Sequence, residues 1–247
     1  MTTEFIAALL TGALAGGFIN GLAGFGTALL ALGIWLQILP PPQAVAIVVV
    51  MSVVSGLQGI WIVRGNIRDN PRRLGRFLVP AVIGVPLGVM LLSVVSAFAL
   101  KLTIAGFMML YGGFFTLRRS LPRFSRSTPV ADSTVGFLGG ILGGAASLSG
   151  ALPTMWCAMR PWTKGETRAV LQPYNVAVLG LTMLLLVWQG HYTPETLMLI
   201  LLSLPTTLIG AQIGIALFHR LDDDQFRRLL ILLMFASGLL IALREMI

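Results

Sequence analysis

Charge is what this sequence lacks. Only 11% of its 247 residues are charged, where a soluble domain carries about 25%, and mean hydropathy is +0.90. From Phe5 to Val63 there is no Asp, Glu, Lys or Arg, a run of 59 residues. One helical crossing of a bilayer takes about 20 apolar residues, so this run holds at least two. A water-soluble globule is excluded. Cysteine is almost absent as well: Cys157 stands alone, which rules out an intrachain disulfide and any multi-thiolate metal centre. No metal site and no cofactor are expected. The first residues, Met1-Thr2-Thr3-Glu4, lack the basic stretch that opens a secretory signal and read as mature protein.

Glycine and basic residues are plentiful. The 28 glycines have no collagen period, and an apolar share of 56% is too high for disorder. A net charge of +8 and a pI near 11.0 can be a nucleic-acid footprint. Here the basic residues fall in short loops between apolar runs, where they set membrane orientation. Nucleic acid is therefore not an expected partner.

Charged or turn-rich stretches cut the chain into apolar blocks at 5–39, 42–63, 77–96, 98–117, 134–159, 169–190, 196–218 and 229–246. The first is too long for one crossing and is interrupted by Gly16, Gly17, Asn20, Gly21, Gly24 and Gly26. The fifth carries a matching glycine cluster. Gly12/Gly136, Gly16/Gly140 and Gly26/Gly150 are 124 apart; Pro80/Pro205 are 125 apart, and Gly84/Gly210 and Gly88/Gly214 are 126 apart. The chain reads as two copies of one unit: a first repeat over 1–119, a linker over 120–133 and a second repeat over 134–247. Such repeats are a recurring plan of secondary transporters.

Basic residues alternate between the copies. Arg64, Arg68, Arg72, Arg73 and Arg76 fill a loop whose second-copy counterpart, around His191, has no Lys or Arg. Arg160, Lys164 and Arg168 answer an uncharged Pro40-Pro41-Pro42-Gln43. Eight simple crossings would divide the 17 basic residues 10 to 7. If blocks 5–39 and 134–159 each enter and return to one face, the division becomes 15 to 2, with Lys101 and Arg244 outside. The positive-inside rule selects the second arrangement. The expected fold is an all-α polytopic membrane protein of two inverted repeats. Each repeat is a glycine-broken helical hairpin plus three transmembrane helices, giving 8–10 helical segments with both termini outside.

Glycine costs about 1 kcal/mol against alanine in a helix interior, so clusters of it need a cause. Helix packing through small residues accounts for Gly84/Gly88 and Gly210/Gly214. The clusters at 16–26 and 139–150 instead point to broken helices lining a central site, because irregular backbone at membrane depth is tolerated only inside protein or at a cavity. Helix N-termini at a break attract anions. Asn20 and Thr27 at the first break, and Ser147 and Ser149 at the second, add hydrogen-bonding side chains, although serine also bonds back to its own helix. Ser52, Ser55 and Gln58 share a helical face and are further candidates.

These residues resemble the TauE/SafE group of sulfite-exporting membrane permeases over nearly the whole chain. The likeness rests on Gly21-Leu-Ala-Gly-Phe-Gly26, the Arg-rich stretch 64–76, and Pro80-Ala-Val-Ile-Gly84-Val-Pro-Leu-Gly88. In the second copy it rests on Gly139-Gly-Ile-Leu-Gly-Gly144, Ser149-Gly150-Ala-Leu-Pro153, and Lys164-x-x-x-Arg168 before Tyr174-Asn175. It implies an inner-membrane transporter of sulfite, organosulfonates or related organic acids, often an exporter. Thr27 and Ser149 stand where such proteins commonly carry more glycine, which leaves the substrate open. The resemblance also raises Arg168, whose planar fork suits an oxyanion, against its reading as a snorkelling anchor. The expected substrate-binding set is Asn20, Gly24, Gly26, Thr27, Gly144, Ser147, Ser149, Arg168, Gln172 and Asn175.

The competing functions are few. Every carboxylate lies at a block boundary or in a loop, so no intramembrane proton relay is visible. A sodium- or proton-coupled importer stays open, since carbonyls at broken helices bind Na⁺, as does an anion channel. A serine protease built on Ser147 or Ser149 needs a base within reach, and His191 and His219 sit in loops; no enzyme is expected. Asp222-Asp223-Asp224 reads as a helix N-cap, Cys157 as a small core residue, and Trp35, Trp61, Trp156, Trp162 and Trp188 as interfacial residues. The expected partners are a small anion and membrane lipid, and a homodimer is compatible with this reading.

Overall fold

The computed structural model describes residues 2–91, the positions Ala105, Gly106, Met109 and Gly113, and residues 124–246. The block at 98–117 with Lys101, and Arg118, Arg119 and Arg123 of the inside count, lie largely or wholly outside the described residues. Those described residues form nine helices and no strand: α1 (Thr3–Ala23), α2 (Thr27–Trp35), α3 (Pro41–Asp69), α4 (Pro71–Leu91), α5 (Pro129–Ala146), α6 (Ala151–Ala158), α7 (Lys164–Trp188), α8 (Pro194–Arg220) and α9 (Asp223–Met246). Among them α1, α3, α4, α7 and α8 are long and apolar enough to cross a membrane. The chain is an all-helical integral membrane protein.

Both long glycine blocks break where expected. Helix α1 ends as Gly24 enters the left-handed region at φ 87° and its N–H bonds the Asn20 carbonyl at 2.9 Å; Gly26, at φ 94°, then caps α2. Helix α5 ends at Ser147, also left-handed (φ 56°), whose N–H bonds the Gly143 carbonyl at 2.9 Å. The two stops are 123 positions apart, but the first uses glycine and the second uses the one non-glycine residue at positive φ among those described.

Each short helix then folds back along the long one before it. The Trp35 indole at the end of α2 donates to the Leu9 carbonyl at 3.0 Å and lies over Gly12. The Trp156 indole in α6 donates to Asp132, in the first turn of α5, at 2.7 Å, with Pro153 over Gly139. Residues 5–39 and 134–159 are thus antiparallel hairpins rather than single spans.

The long helices meet in three main pairs: α1 with α8, α4 with α5, and α3 with α7. In the first, Gly17 and Gly21 lie on the backbone of Thr207 and Ala211, while Gly210 and Gly214 lie on Leu14 and Phe18. In the second, Gly140 and Gly144 lie on Ala81 and Val85, while Gly84 and Gly88 lie on Phe137 and Ile141. Small residues let these backbones touch. Gly17 and Gly21 lie on Thr207 and Ala211 in the same way as Gly140 and Gly144, 123 positions later, lie on Ala81 and Val85. The glycine pattern in the sequence suggests 124; the one-residue difference enters at the breaks, since Gly26 and Gly150, which cap α2 and α6, are 124 apart.

Several local expectations are corrected. Arg64 to Arg76 do not form a loop: α3 runs to Asp69, only Asn70 intervenes, and α4 starts at Pro71. Trp35 is not interfacial but fully buried, because its ring fills the space left by Gly12; Trp61, eight residues before the end of α3, and Trp188, the last residue of α7, are exposed. His219 lies in the last turn of α8 rather than in a loop. Helix α5 begins at Pro129, inside the stretch read as a linker. Asp222 caps α9 as read: it accepts from the Gln225 N–H at 2.7 Å while its own N–H donates to Gln225 Oε1. Cys157 is a buried core residue.

Candidate functional site

The two hairpin tips meet. A Cβ built on Gly150 would lie 2.5–2.7 Å from the Cδ2, Cγ and Cβ atoms of Phe25, so the ring sits directly on the Gly150 backbone. Beside this contact is a cavity of about 10 Å³, lined by Phe25, Gly26, Thr27, Ser52, Ser147 and Asn175 with an apolar wall that includes Leu148 and Leu179. That is room for about one water molecule. Ser52 and Asn175 are each the twelfth residue of α3 and α7, about 17 Å along each helix at 1.5 Å per residue, a distance comparable to half of a hydrocarbon core of about 30 Å.

The lining is rich in donors that the protein itself does not use. The Thr27, Ser52 and Ser147 hydroxyls and the Asn175 Nδ2 are buried without a hydrogen-bond partner. Buried polar groups are normally paired, so four such groups around one cavity point to a ligand. Helices α2 and α6 both start here, at Thr27 and Ala151, each with a glycine cap that makes no side-chain bond. Their first-turn N–H groups and positive dipole ends favour negative charge. No Asp, Glu, Lys or Arg lines the cavity among the described residues.

A second tier holds the lining in place. Ser149 donates to Asn175 Oδ1 at 2.5 Å, which fixes the amide. Asn20 Nδ2 donates to the Ser52 carbonyl at 3.0 Å and to Ser55 Oγ at 2.6 Å, tying α1 to α3 behind Ser52. Asn20 and Ser149 therefore position rather than line. Gln58 points elsewhere, accepting from Gln212 at 3.0 Å on an exposed surface.

Arg168, Gln172 and Gly24 gather on the other side of the first tip. Arg168 is fully buried; its Nε donates to Gln172 Oε1 at 3.2 Å and its guanidinium lies 4.4 Å from the centre of the Phe218 ring. A Cβ on Gly24 would stand 3.1 Å from that Oε1. Gly144 joins neither group, since it packs on the Val85 carbonyl. Of the expected residues the cavity thus gathers Gly26, Thr27, Ser147 and Asn175. Phe25, Leu148 and Leu179 carry no signal in the sequence, because an apolar residue lining a cavity looks like any other in an apolar chain.

The other basic residues around the start of α7 are structural ties. Arg160 and Asp132, both side chains 4% exposed, pair at 2.9 Å. Arg160 also donates to Thr128 Oγ1 and to the Arg126 carbonyl, the latter at 2.7 Å. Lys164 Nζ caps the end of α8 through the carbonyls of Phe218, His219 and Leu221. Arg73 of α4 pairs with Glu166 of α7 at 2.8 Å.

No curated protein and no solved structure matches this chain. A family model described as "Sulfite exporter TauE/SafE" matches residues 8–241. With almost the whole chain covered, broken hairpins included, the protein belongs to the TauE/SafE family of sulfite exporters.

Proposed function

We propose that the chain is a permease, working chiefly as an exporter, for small anions such as sulfite, organosulfonates or related organic acids. It carries them by alternating access at the cavity between the hairpin tips. The observation that carries this reading is the convergence of two helix N-termini on one cavity lined by four unpartnered polar groups. Neutral hydroxyl, amide and backbone donors hold an anion without a fixed salt bridge, so it can also leave.

The pairing of α1 with α8 and of α4 with α5 supports two halves related by a two-fold axis in the membrane plane. If α1/α2, α3 and α4 correspond to α5/α6, α7 and α8, each of those pairs becomes the other. Both termini then face outside the inner membrane and the basic residues face the cytoplasm. An anion leaving a negative-inside cell gains about 2.3 kcal/mol per charge per 100 mV, enough for export without a coupling ion. A cavity of about 10 Å³ closed by Phe25 on Gly150 favours a carrier over an open channel. Sulfite flux in proteoliposomes tests this: saturation and counterflow are expected, and linear flux without counterflow would make it a channel.

A further inference from the structure

The Arg168 guanidinium is buried with both Nη1 and Nη2 lacking any partner, and the adjoining Gln172 Nε2 is likewise unpartnered. Among the described residues no carboxylate lies within salt-bridge distance of it. A buried charge without an ion-pair partner costs several kcal/mol, which the Nε bond to Gln172 and the Phe218 ring offset only in part, so this arrangement persists for a reason other than stability. The unused donors face α3, where a Cβ on Gly59 would stand 3.0 Å from Nη2 and one on Gly56 would stand 3.2 Å from Gln172 Nε2, while Gly24 of the first tip lies against Arg168 Cγ and Gln172 Oε1. Lys164, one turn earlier on α7, shows the contrast, since its ammonium is spent on the carbonyls that end α8.

The tip has two sides. Gly24 abuts Arg168 and Gln172, whereas the next three residues, Phe25, Gly26 and Thr27, line the hydroxyl cavity. Arg168, Gln172 and Asn175 follow one another at i, i+4 and i+7 along a single face of α7, the spacing that stacks side chains. We propose that Arg168 and Gln172 form a second oxyanion station below the central cavity, and that the first hairpin tip, residues 24–27, is the movable partition between the two. The guanidinium receives two oxygens of one anion through its fork, and the Gln172 amide donates to a third. The anion reaches the neutral cavity when the tip swings off Gly150. The second hairpin is the fixed partner, its base tied by Arg160 and Asp132; in the first, α1 is held to α3 by Asn20, so the tip after Ala23 is the part that moves.

This rests on the proposed anion transport, and the test separates the two. Phe25→Cys and Gly150→Cys in a Cys157→Ser background allow a disulfide across the tips. Methanesulfonate, an organosulfonate of the proposed substrate class that leaves disulfides intact where sulfite would cleave them, is the probe. Oxidation should lower its flux in proteoliposomes about tenfold or more, and reduction should return it to the level of the unoxidised double variant, which also checks the fold. The oxidised protein should still bind radiolabelled methanesulfonate in equilibrium dialysis, and adding Arg168→Gln should weaken that binding about tenfold or more. Undiminished flux after oxidation would overturn the partition. Binding lost on oxidation, or indifferent to Arg168→Gln, would overturn the second station. Gly59→Ala gives an independent check, since the atoms nearest its Cβ belong to Gln172 and Arg168: weaker binding is expected, and unchanged binding overturns the station. A parent chain that neither binds nor moves methanesulfonate or sulfite would instead remove the transport reading itself.

Discussion

Phe25 lies on Gly150, ring against bare backbone, and this contact joins the two hairpin tips. Glycine is required on one side because any Cβ would occupy the space of the Phe25 ring. Gly150→Ala should push the first tip aside and lower sulfite flux about tenfold, a cost of about 1.4 kcal/mol. Adding Phe25→Ala should recover part of the loss, because residues in contact couple. Strictly additive flux losses would show that the tips do not act on one another.

Ser147 combines a strained backbone with an unused hydroxyl. A left-handed conformation costs an L-residue roughly 1–2 kcal/mol, and glycine relieves it. Ser147→Gly should leave thermal stability in detergent equal or higher while weakening sulfite binding by about 1.5–3 kcal/mol, the worth of a hydrogen bond to a charged group. Full affinity in this variant would remove Ser147 from the site.

Asp132 and Arg160 are a buried pair, so removing one leaves the other uncompensated. Asp132→Asn should destabilise the protein by about 3–5 kcal/mol. Arg73→Ala, which breaks a pair with side chains 21% and 28% exposed, should cost about 1 kcal/mol or less. Thermal unfolding in detergent ranks the two, and equal effects would show that the Asp132 pair is not holding the second hairpin.

Gly144 touches the Val85 carbonyl across the α4–α5 crossing. Gly144→Ala should lower stability by about 1–3 kcal/mol, as overpacking does. Gly180→Ala, inside α7 where an added Cβ meets nothing within 4 Å, should instead raise stability by up to about 1 kcal/mol in the same assay.

Legibility in the sequence depended on the kind of signal. The breaks at Gly24–Gly26 and Ser147–Gly150 were legible because clustered glycine is costly in a helix and the cluster recurs about 124 residues later. Thr27, Ser147 and Asn175 were legible because polar side chains are scarce in an apolar run. The ends of α3 and α4 were not, because arginine is a good helix former and charge alone does not mark a loop. Trp35 was misplaced because its position near a block end says nothing of Gly12, 23 residues earlier, which makes room for it. The separation of Arg168 from the hydroxyl cavity was hidden, since one helical face of α7 carries both and only the fold inserts a hairpin tip between them.

The most direct measurement is anion protection at the second tip. In a Cys157→Ser background, Ser147→Cys should react with a small anionic thiosulfonate reagent applied in turn from each side of sealed vesicles. Methanesulfonate, which unlike sulfite does not react with the reagent, should slow that reaction at concentrations that saturate the variant's flux. Labelling that methanesulfonate leaves untouched, or a thiol at position 147 unreachable from either side, would contradict a central anion site between the hairpins.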